Sequence, residues 1–573
     1  MGRRKRLWKG RLLRAFGRVQ RAAEQKSGII LGLFLLNYFT ICWASIHARR
    51  WEQMAAALLD GVFLLAGTCL YVIFLSLVPV LRLRRALLAF WFFLSAALGG
   101  LEIFSICNYR ALIGAGIVTA VLQTSPQEAR EFLEMYVGFG GAALLLAGAF
   151  CAWLAYRRLT GLRFTLVRRH WQNRLLSLLL LSGALAACAL WNFYHTFVVN
   201  DSLDIPALQV QRAVERAVDD LEAYEELDGE MADSVEITEN RSSIPHVVFV
   251  LGESTYRGRM HLYGYDLGNT PELDAMAKRG ELAVFRDVIS PYGSTVAVLR
   301  ELFTFHHAES PEEWHACNNL MDVLRAAGYR SYWLSNQESS GIWGNIARLY
   351  ANRCTAKAYT GLRESREDHG NLDGELLPLL EDALAEAGEK NFYVLHLMGG
   401  HGLYDMRYPD SYAKFRAEDI RGTQAALPEE KREKLAQYAN ALYYNDAVVS
   451  AIIDRFRRKN ALVIYLPDHG ETVYDDGSDF AGHVEENPNK YMLEVPLLFW
   501  ASEEFRATYP EKWAAITSSA QRPYMTDDMI HTILDLMDIR TREYDPARSL
   551  VNPAFDGTRK RVVQSRDYDA SMR

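Results

Sequence analysis

Cysteine is scarce in this 573-residue chain, and five of its seven cysteines, Cys42, Cys69, Cys107, Cys151 and Cys188, lie in or beside apolar runs, where they behave as small apolar residues. Only Cys317 and Cys354 remain in the polar half, so at most one bridge can form there. In an oxidising compartment such a bridge is worth roughly 4 kcal/mol on the chain-entropy model; two free buried thiols are the equal alternative. Charge is almost missing from five long runs. Gly28–Ile46, Gly61–Leu81, Ala86–Cys107, Tyr136–Tyr156 and Leu175–Phe197 span 19–23 residues each, and Glu102 is their sole charged residue. Acids are also short at the start: residues 1–26 hold ten Lys/Arg and only Glu24, so the remainder of a chain with net charge −7 carries about −16. That asymmetry excludes a uniformly acidic globular protein. A hydrophobic content of 50%, with 12 Trp, 29 Tyr and 26 Phe, excludes a disordered or low-complexity one.

Each apolar run is long enough to cross ~30 Å of hydrocarbon as a helix, so five spans are expected. The cations set their orientation. With the N-terminus inside, the cytoplasmic segments hold the ten early basic residues, then Arg82, Arg84, Arg85, Arg157, Arg158, Arg163, Arg168, Arg169 and Arg174, nineteen in all; the opposite side holds only Arg49, Arg50, Arg110 and Arg130. Five crossings then place residues 200–573 outside the cytoplasm. Four further spans argue that the first run is an uncleaved anchor rather than a signal peptide. Between spans three and four, Ile113–Thr124 is mildly apolar, and Pro126 opens a candidate surface helix. Asp60 and Glu102, near the outer ends of their spans, are either functional acids or partners of Arg49 and Arg50.

The expected organisation is a transmembrane domain over 1–199, a linker with a bridging helix over 200–243, and a soluble domain over 244–573. In the last, Val247–Leu251, Tyr329–Leu334, Phe392–Leu397, Leu462–Leu466 and Pro496–Trp500 alternate with helical patterns. This predicts an α/β fold with a mostly parallel central sheet buried on both faces. Ligands of such sheets sit beyond the carboxyl ends of the strands, and the residues there are polar: Gly252-Glu253-Ser254, Met398-Gly-Gly-His401-Gly402 and Pro467-Asp468-His469-Gly470-Glu471, with Gly482-His483 on a separate loop. Glu253, Asp468 and His469 form a mixed oxygen and nitrogen donor set suited to Zn²⁺. In Ser290–Phe305, Val296, Leu299, Leu302 and Phe303 repeat at helical spacing, which starts a helix near Ser294 and puts Thr295 in its first turn. One reading makes Ser294 or Thr295 a helix cap. The other makes Thr295 a nucleophile whose hydroxyl is acidified by the helix N-terminus and a metal.

Those motifs, with Tyr263-Gly-Tyr-Asp-Leu-Gly-Asn-Thr-Pro271, Trp333-Leu-Ser-Asn-Gln337 and His396-Leu-Met-Gly-Gly-His401-Gly402, resemble the membrane-bound phosphoethanolamine transferases of Gram-negative envelopes. The resemblance covers nearly the whole chain. It implies an alkaline phosphatase/sulfatase fold, Glu253, Thr295, Asp468 and His469 as zinc ligands, Thr295 as nucleophile, and His401 and His483 holding the phosphate or a second zinc. It also implies a phosphatidylethanolamine donor, a lipopolysaccharide or other envelope glycan acceptor, no nucleic-acid partner, and an inner-membrane protein whose catalytic domain is periplasmic. Thr124 matches a substrate-binding threonine. Three departures lean towards the branch acting on lipopolysaccharide core rather than lipid A: no Lys follows Asn336-Gln337, Ala120 stands where many relatives carry Asn, and cysteines are few.

A phosphoglycerol transferase, or a phosphodiesterase or sulfatase-like hydrolase, is the alternative enzyme; Ser294–Arg300 lacks the Cys/Ser-x-Pro-x-Arg run a sulfatase needs. The charge distribution makes a direct prediction. Reporter fusions after residue 200 are active only in a periplasmic format, and fusions within 157–174 only in a cytoplasmic one; the reverse pattern overturns the orientation.

Overall fold

The computed structural model describes residues 28–47, 78–123, 138–162, 206–229, 235–337, 346–360 and 372–573, with scattered positions within 60–75 and at 129 and 133. Two compact units result: Met1–Val118 with Tyr136–Arg216, and Thr119–Met135 with Ala217–Arg573.

In the first unit, two helices among the described residues are long and apolar enough to cross a membrane, Gly28–His47 and Leu81–Tyr109. They contain the first and third expected runs. The helix Gly138–Gly161 covers the fourth, and its Leu144, Leu145, Leu146 and Phe150 point outward, the apolar-out arrangement of a lipid-facing helix. The second run is described only in part, and the fifth lies outside the described residues, as does the expected surface helix opened by Pro126. Among the described residues two helices meet that length and hydropathy test, against the five spans expected over the whole chain. Ile29, Leu33, Leu75, Leu88 and Phe92 form the core of this unit, with Tyr156 and Leu159 packed against them. Glu102 is buried and accepts the Ile113 backbone N–H at 3.4 Å.

The second unit is built on a seven-stranded sheet: β1 His246–Gly252, β2 Leu282–Phe285, β3 Arg330–Ser335, β4 Ala356–Tyr359, β5 Asn391–His396, β6 Ala461–Pro467 and β7 Leu497–Ala501, in the order β2-β7-β6-β1-β5-β3-β4. Alternate residues of β1 enter two separate cores, Val247, Phe249 and Leu251 on one face and Val248 and Val250 on the other, as the near-continuous Val/Leu/Phe run requires. Neighbours of β1 pair with it in parallel, and the register aligns Leu251 with His396 and with Leu466. Ser335 aligns with His396 in turn. Four strands thus end level, and Glu253, Asn336, Leu397 and Asp468 all emerge at one edge.

The sheet is mostly parallel, as expected, and is mixed through one reversed strand. β7 runs antiparallel to both β6 and β2, so the other six strands share a direction and only β7 opposes them. The cause is the connection 468–496, which does not cross back over the sheet as a parallel neighbour demands and stays at the carboxyl edge of β6. β2 and β4 were missed as strands because each has only four residues and lies at a sheet edge. Within the stretch read as a linker with a bridging helix, Pro206–Gly229 is helical, and Ile237–Asn240 adds a strand that pairs antiparallel with Ile539–Thr541. Cys317 and Cys354 are both free. Cys354 lies against Met321 at 3.7 Å, and burial pushes the two thiols up to about 11 and about 12, so they pack rather than react.

Phe249, fully buried in the middle of β1, meets Phe303 edge to face at 5.4 Å. Phe249→Ala is expected to cost about 3–5 kcal/mol, read as an earlier denaturant midpoint for the soluble unit in the intact protein; an unchanged midpoint contradicts this packing.

Candidate functional site

The level strand ends converge on one hydroxyl. The helix Thr295–Leu302 begins at Ser294, whose extended backbone makes it the N-cap residue, yet Ser294 forms no side-chain cap bond. Its hydroxyl donates to Glu485 Oε2 at 2.9 Å instead. Thr295 Oγ1 donates to Glu253 Oε2 at 3.2 Å and lies 3.4 Å from His469 Nε2. The same imidazole nitrogen is 3.4 Å from Glu253 Oε1 and 3.4 Å from Asp468 Oδ2. The capping account of these hydroxyls therefore gives way to a side-chain cluster in which two carboxylates and an imidazole surround Thr295.

The cluster is held rigidly from behind. Ser254 Oγ donates to Glu253 Oε1 at 2.7 Å, and Gln337 Nε2 donates to Glu253 Oε2 at 3.0 Å and to the Leu397 carbonyl at 2.9 Å. Asp468 Oδ1 accepts the backbone N–H groups of His469 and Ser254 at 2.7 and 3.3 Å. The His469 Nδ1 is 2.8 Å from the Gly470 carbonyl, which holds a proton on Nδ1 and turns Nε2 towards Thr295. The Gly399 backbone has φ +47° and packs so closely that a Cβ would lie 2.5 Å from the Glu253 carbonyl oxygen. Asp373 anchors this loop, accepting the Met398 and Gly399 N–H groups at 2.7 and 3.0 Å and Asn336 Nδ2 at 2.7 Å.

Whether these residues suit a cation is answered by the donors. Glu253, Asp468 and His469 are 1%, 0% and 0% exposed, and Asp468 Oδ2 is buried without a hydrogen-bond partner. Buried carboxylates left this way are costly unless a cation compensates them, and oxygen and nitrogen donors at this spacing suit Zn²⁺. Their ligand atoms lie within 4.8 Å of one another, as do those of a second group, His469, Glu471 and His483. Burial opposes the His469 imidazolium, but Asp468 and Glu253 outweigh it and raise its pKa. Burial pushes both His401 and His483 down to about 3, so their rings are neutral near pH 7. The two rings are 5.8 Å apart, and His483 is 4.1 Å from His469. His483 Nδ1 contacts Glu471 Oε2 at 2.8 Å, and Tyr404 donates to Glu471 Oε1 at 2.7 Å.

Of the residues expected from sequence, Glu253, Thr295, Asp468, His469, His401 and His483 are brought together. Thr124 lies outside the described residues. Sequence reasoning missed Ser254, Gln337, Asp373 and Glu485 as parts of the site. Ser254 and Gln337 stood inside quoted motifs and were open to notice; Asp373 and Glu485 sit in ordinary polar loops whose role depends on long-range packing.

Comparison with known proteins finds relatives of both halves of the chain. The sulfatase family matches residues 245–539, and the family described as phosphoethanolamine transferase EptA/EptB matches residues 67–201. The chain belongs to the sulfatase family, among its membrane-bound phosphoethanolamine transferases. Phosphoethanolamine transferase EptC of Escherichia coli K12 is 29% identical over 506 residues, covering 84% of this chain and 86% of the relative. Phosphoethanolamine transferase CptA of Salmonella typhimurium is 28% identical over 485 residues, covering 81% and 82%. The periplasmic domain of Escherichia coli EptC, solved in complex with Zn, is 31% identical with a TM-score of 0.55, covering 59% of this chain and 97% of that one. The integral membrane phosphoethanolamine transferase EptA of Neisseria meningitidis shares the fold at 20% identity, with a TM-score of 0.63 and 92% of this chain covered.

Gly399→Ala tests the support of Glu253. Gly422 has a similar backbone, φ +66°, but nothing near its missing Cβ, so Gly422→Ala carries only the left-handed strain of about 1 kcal/mol. Gly399→Ala adds a collision with Glu253, and its turnover is expected to fall at least tenfold further than that of Gly422→Ala; equal effects contradict the proximity argument.

Proposed function

We propose that this protein transfers phosphoethanolamine from phosphatidylethanolamine to a lipopolysaccharide acceptor, with Thr295 carrying the group between them. The observation that carries the reading is the Thr295 hydroxyl held against Glu253 and His469 beside a buried Asp468 oxygen that accepts no hydrogen bond. Glu253, Thr295, Asp468 and His469 are the residues that would hold Zn²⁺. Bound there, Zn²⁺ supplies Lewis-acid chemistry that acidifies the hydroxyl and offsets phosphodiester charge.

In the first half-reaction Thr295 Oγ1 gives up its proton and forms a bond to phosphorus as the bond to the diacylglycerol oxygen breaks, and that proton ends on the leaving oxygen. Glu253 Oε2, the acceptor of the Thr295 hydroxyl, orients the attack. Neutral His401 and His483 are placed to hold charge on the phosphoryl oxygens, either through N–H groups or as ligands of a second metal. The acceptor then attacks phosphorus, and Thr295 leaves as the hydroxyl. A covalent Thr295 intermediate lets one site use a lipid donor and a glycan acceptor in turn.

Gln337 spends its amide on Glu253 and Leu397 and offers no cation of the kind lipid A-modifying relatives place after this motif, which supports lipopolysaccharide core as the acceptor. Mass spectrometry of lipopolysaccharide from cells with and without the gene tests this: an increment of ~123 Da is expected on core sugars, and an increment confined to lipid A reverses the assignment. Thr295→Ala is expected to abolish cleavage of fluorescent phosphatidylethanolamine, and Thr295→Ser to retain part of it. Full cleavage by Thr295→Ala shows that water attacks and makes the protein a hydrolase.

A further inference from the structure

Zinc and the site histidines hold a phosphoryl group, and every phosphodiester has one. Selection of ethanolamine needs a group that contacts its nitrogen. The returning connection 468–496 supplies a candidate, because it presses on the turn just ahead of the nucleophile: a Cβ at Gly293 would meet the Val484 carbonyl oxygen at 2.7 Å and Pro488 Cβ at 3.0 Å. This contact seats Glu485 beside Ser294, whose hydroxyl donates to Oε2 at 2.9 Å one residue before Thr295. Ser294 gives up its helix-capping bond to do so. The other groups acting on the Glu485 carboxylate are the Gly293 backbone N–H, the Gln564 side chain and the neighbouring carboxylate Glu486.

Glu485 is therefore a half-buried carboxyl group among neutral donors and beside a second acid, and burial disfavours its ionised form. Among the described residues no Lys or Arg forms an ion pair with it. Such a carboxylate is unfavourable until a cation arrives. The donor implied by the proposed function brings one, a primary ammonium two methylenes from its phosphate ester oxygen. A glycerol headgroup brings none. We propose that Glu485, held by Ser294 beside Thr295, binds the ammonium of the phosphoethanolamine headgroup and selects it over uncharged headgroups. The inference rests on Thr295 as the phosphoryl-accepting residue.

The test uses the full-length protein in detergent with two matched fluorescent donors, phosphatidylethanolamine and phosphatidylglycerol, and reads the ratio of their kcat/KM values. Wild type is expected to favour phosphatidylethanolamine. Glu485→Gln keeps an acceptor for Ser294 but removes the charge, and is expected to lower the ratio about ten- to a hundredfold, the worth of one charge-assisted hydrogen bond. Glu485→Asp, which restores the charge, is expected to recover most of the preference. A merely structural Glu485 predicts equal losses on both donors, and that result overturns the proposal. A wild type that cleaves both donors equally in a Thr295-dependent manner also overturns it while leaving the transferase chemistry standing. Cleavage of neither donor overturns both.

Discussion

Two carboxylates buried at the end of one sheet impose the main constraint on this protein. Glu253 and Asp468 are almost fully withdrawn from water, and the hydrogen bonds that reach them come from Ser254, Thr295, Gln337 and backbone N–H groups, all neutral. Ordinary donors of this kind do not replace the hydration of two anions. His469 supplies part of the compensation, and the two carboxylates in turn raise its pKa. A divalent cation would complete the charge balance, which is why the zinc reading rests on burial as well as on ligand type.

The sheet explains how such a costly arrangement is kept in place. Strands β1, β3, β5 and β6 end in register, so residues far apart in sequence reach one edge without adjustable loops. The reversed strand β7 then keeps the connection 468–496 at that edge, which brings Glu471, His483 and Glu485 to the site on one segment. Behind Thr295, the helix Thr295–Leu302 is tied at its far end: Arg300 Nε donates to Tyr224 at 2.8 Å, and its guanidinium pairs with Asp220 at 2.9 Å. Thr295 is thereby fixed from both ends of its helix.

Much of this was legible in the sequence because it obeys short-range rules. Continuous apolar runs marked the buried strands, and the polar residues directly after them marked Glu253, His401, Asp468 and His469. Helical spacing placed Thr295 correctly in a first turn. What was not legible depends on partners chosen by the fold. Ser294 reads as a cap, and only the packing of Val484 and Pro488 on Gly293 turns its hydroxyl to Glu485. Asp373 reads as a turn acid, and only the parallel pairing of β5 and β3 sets it under the Met398-Gly399 backbone. The direction of β7 is invisible in an apolar run, since parallel and antiparallel strands buried on both faces have the same composition.

The central claim is that Glu253, Thr295, Asp468 and His469 share one Zn²⁺. Anomalous diffraction from crystals of the full-length protein, collected on both sides of the zinc absorption edge, tests it most directly. The account predicts a peak ~2.0–2.2 Å from Glu253, Thr295, Asp468 and His469 donor atoms. Zinc confined to His483 and Glu471, or no peak in active protein, would contradict it.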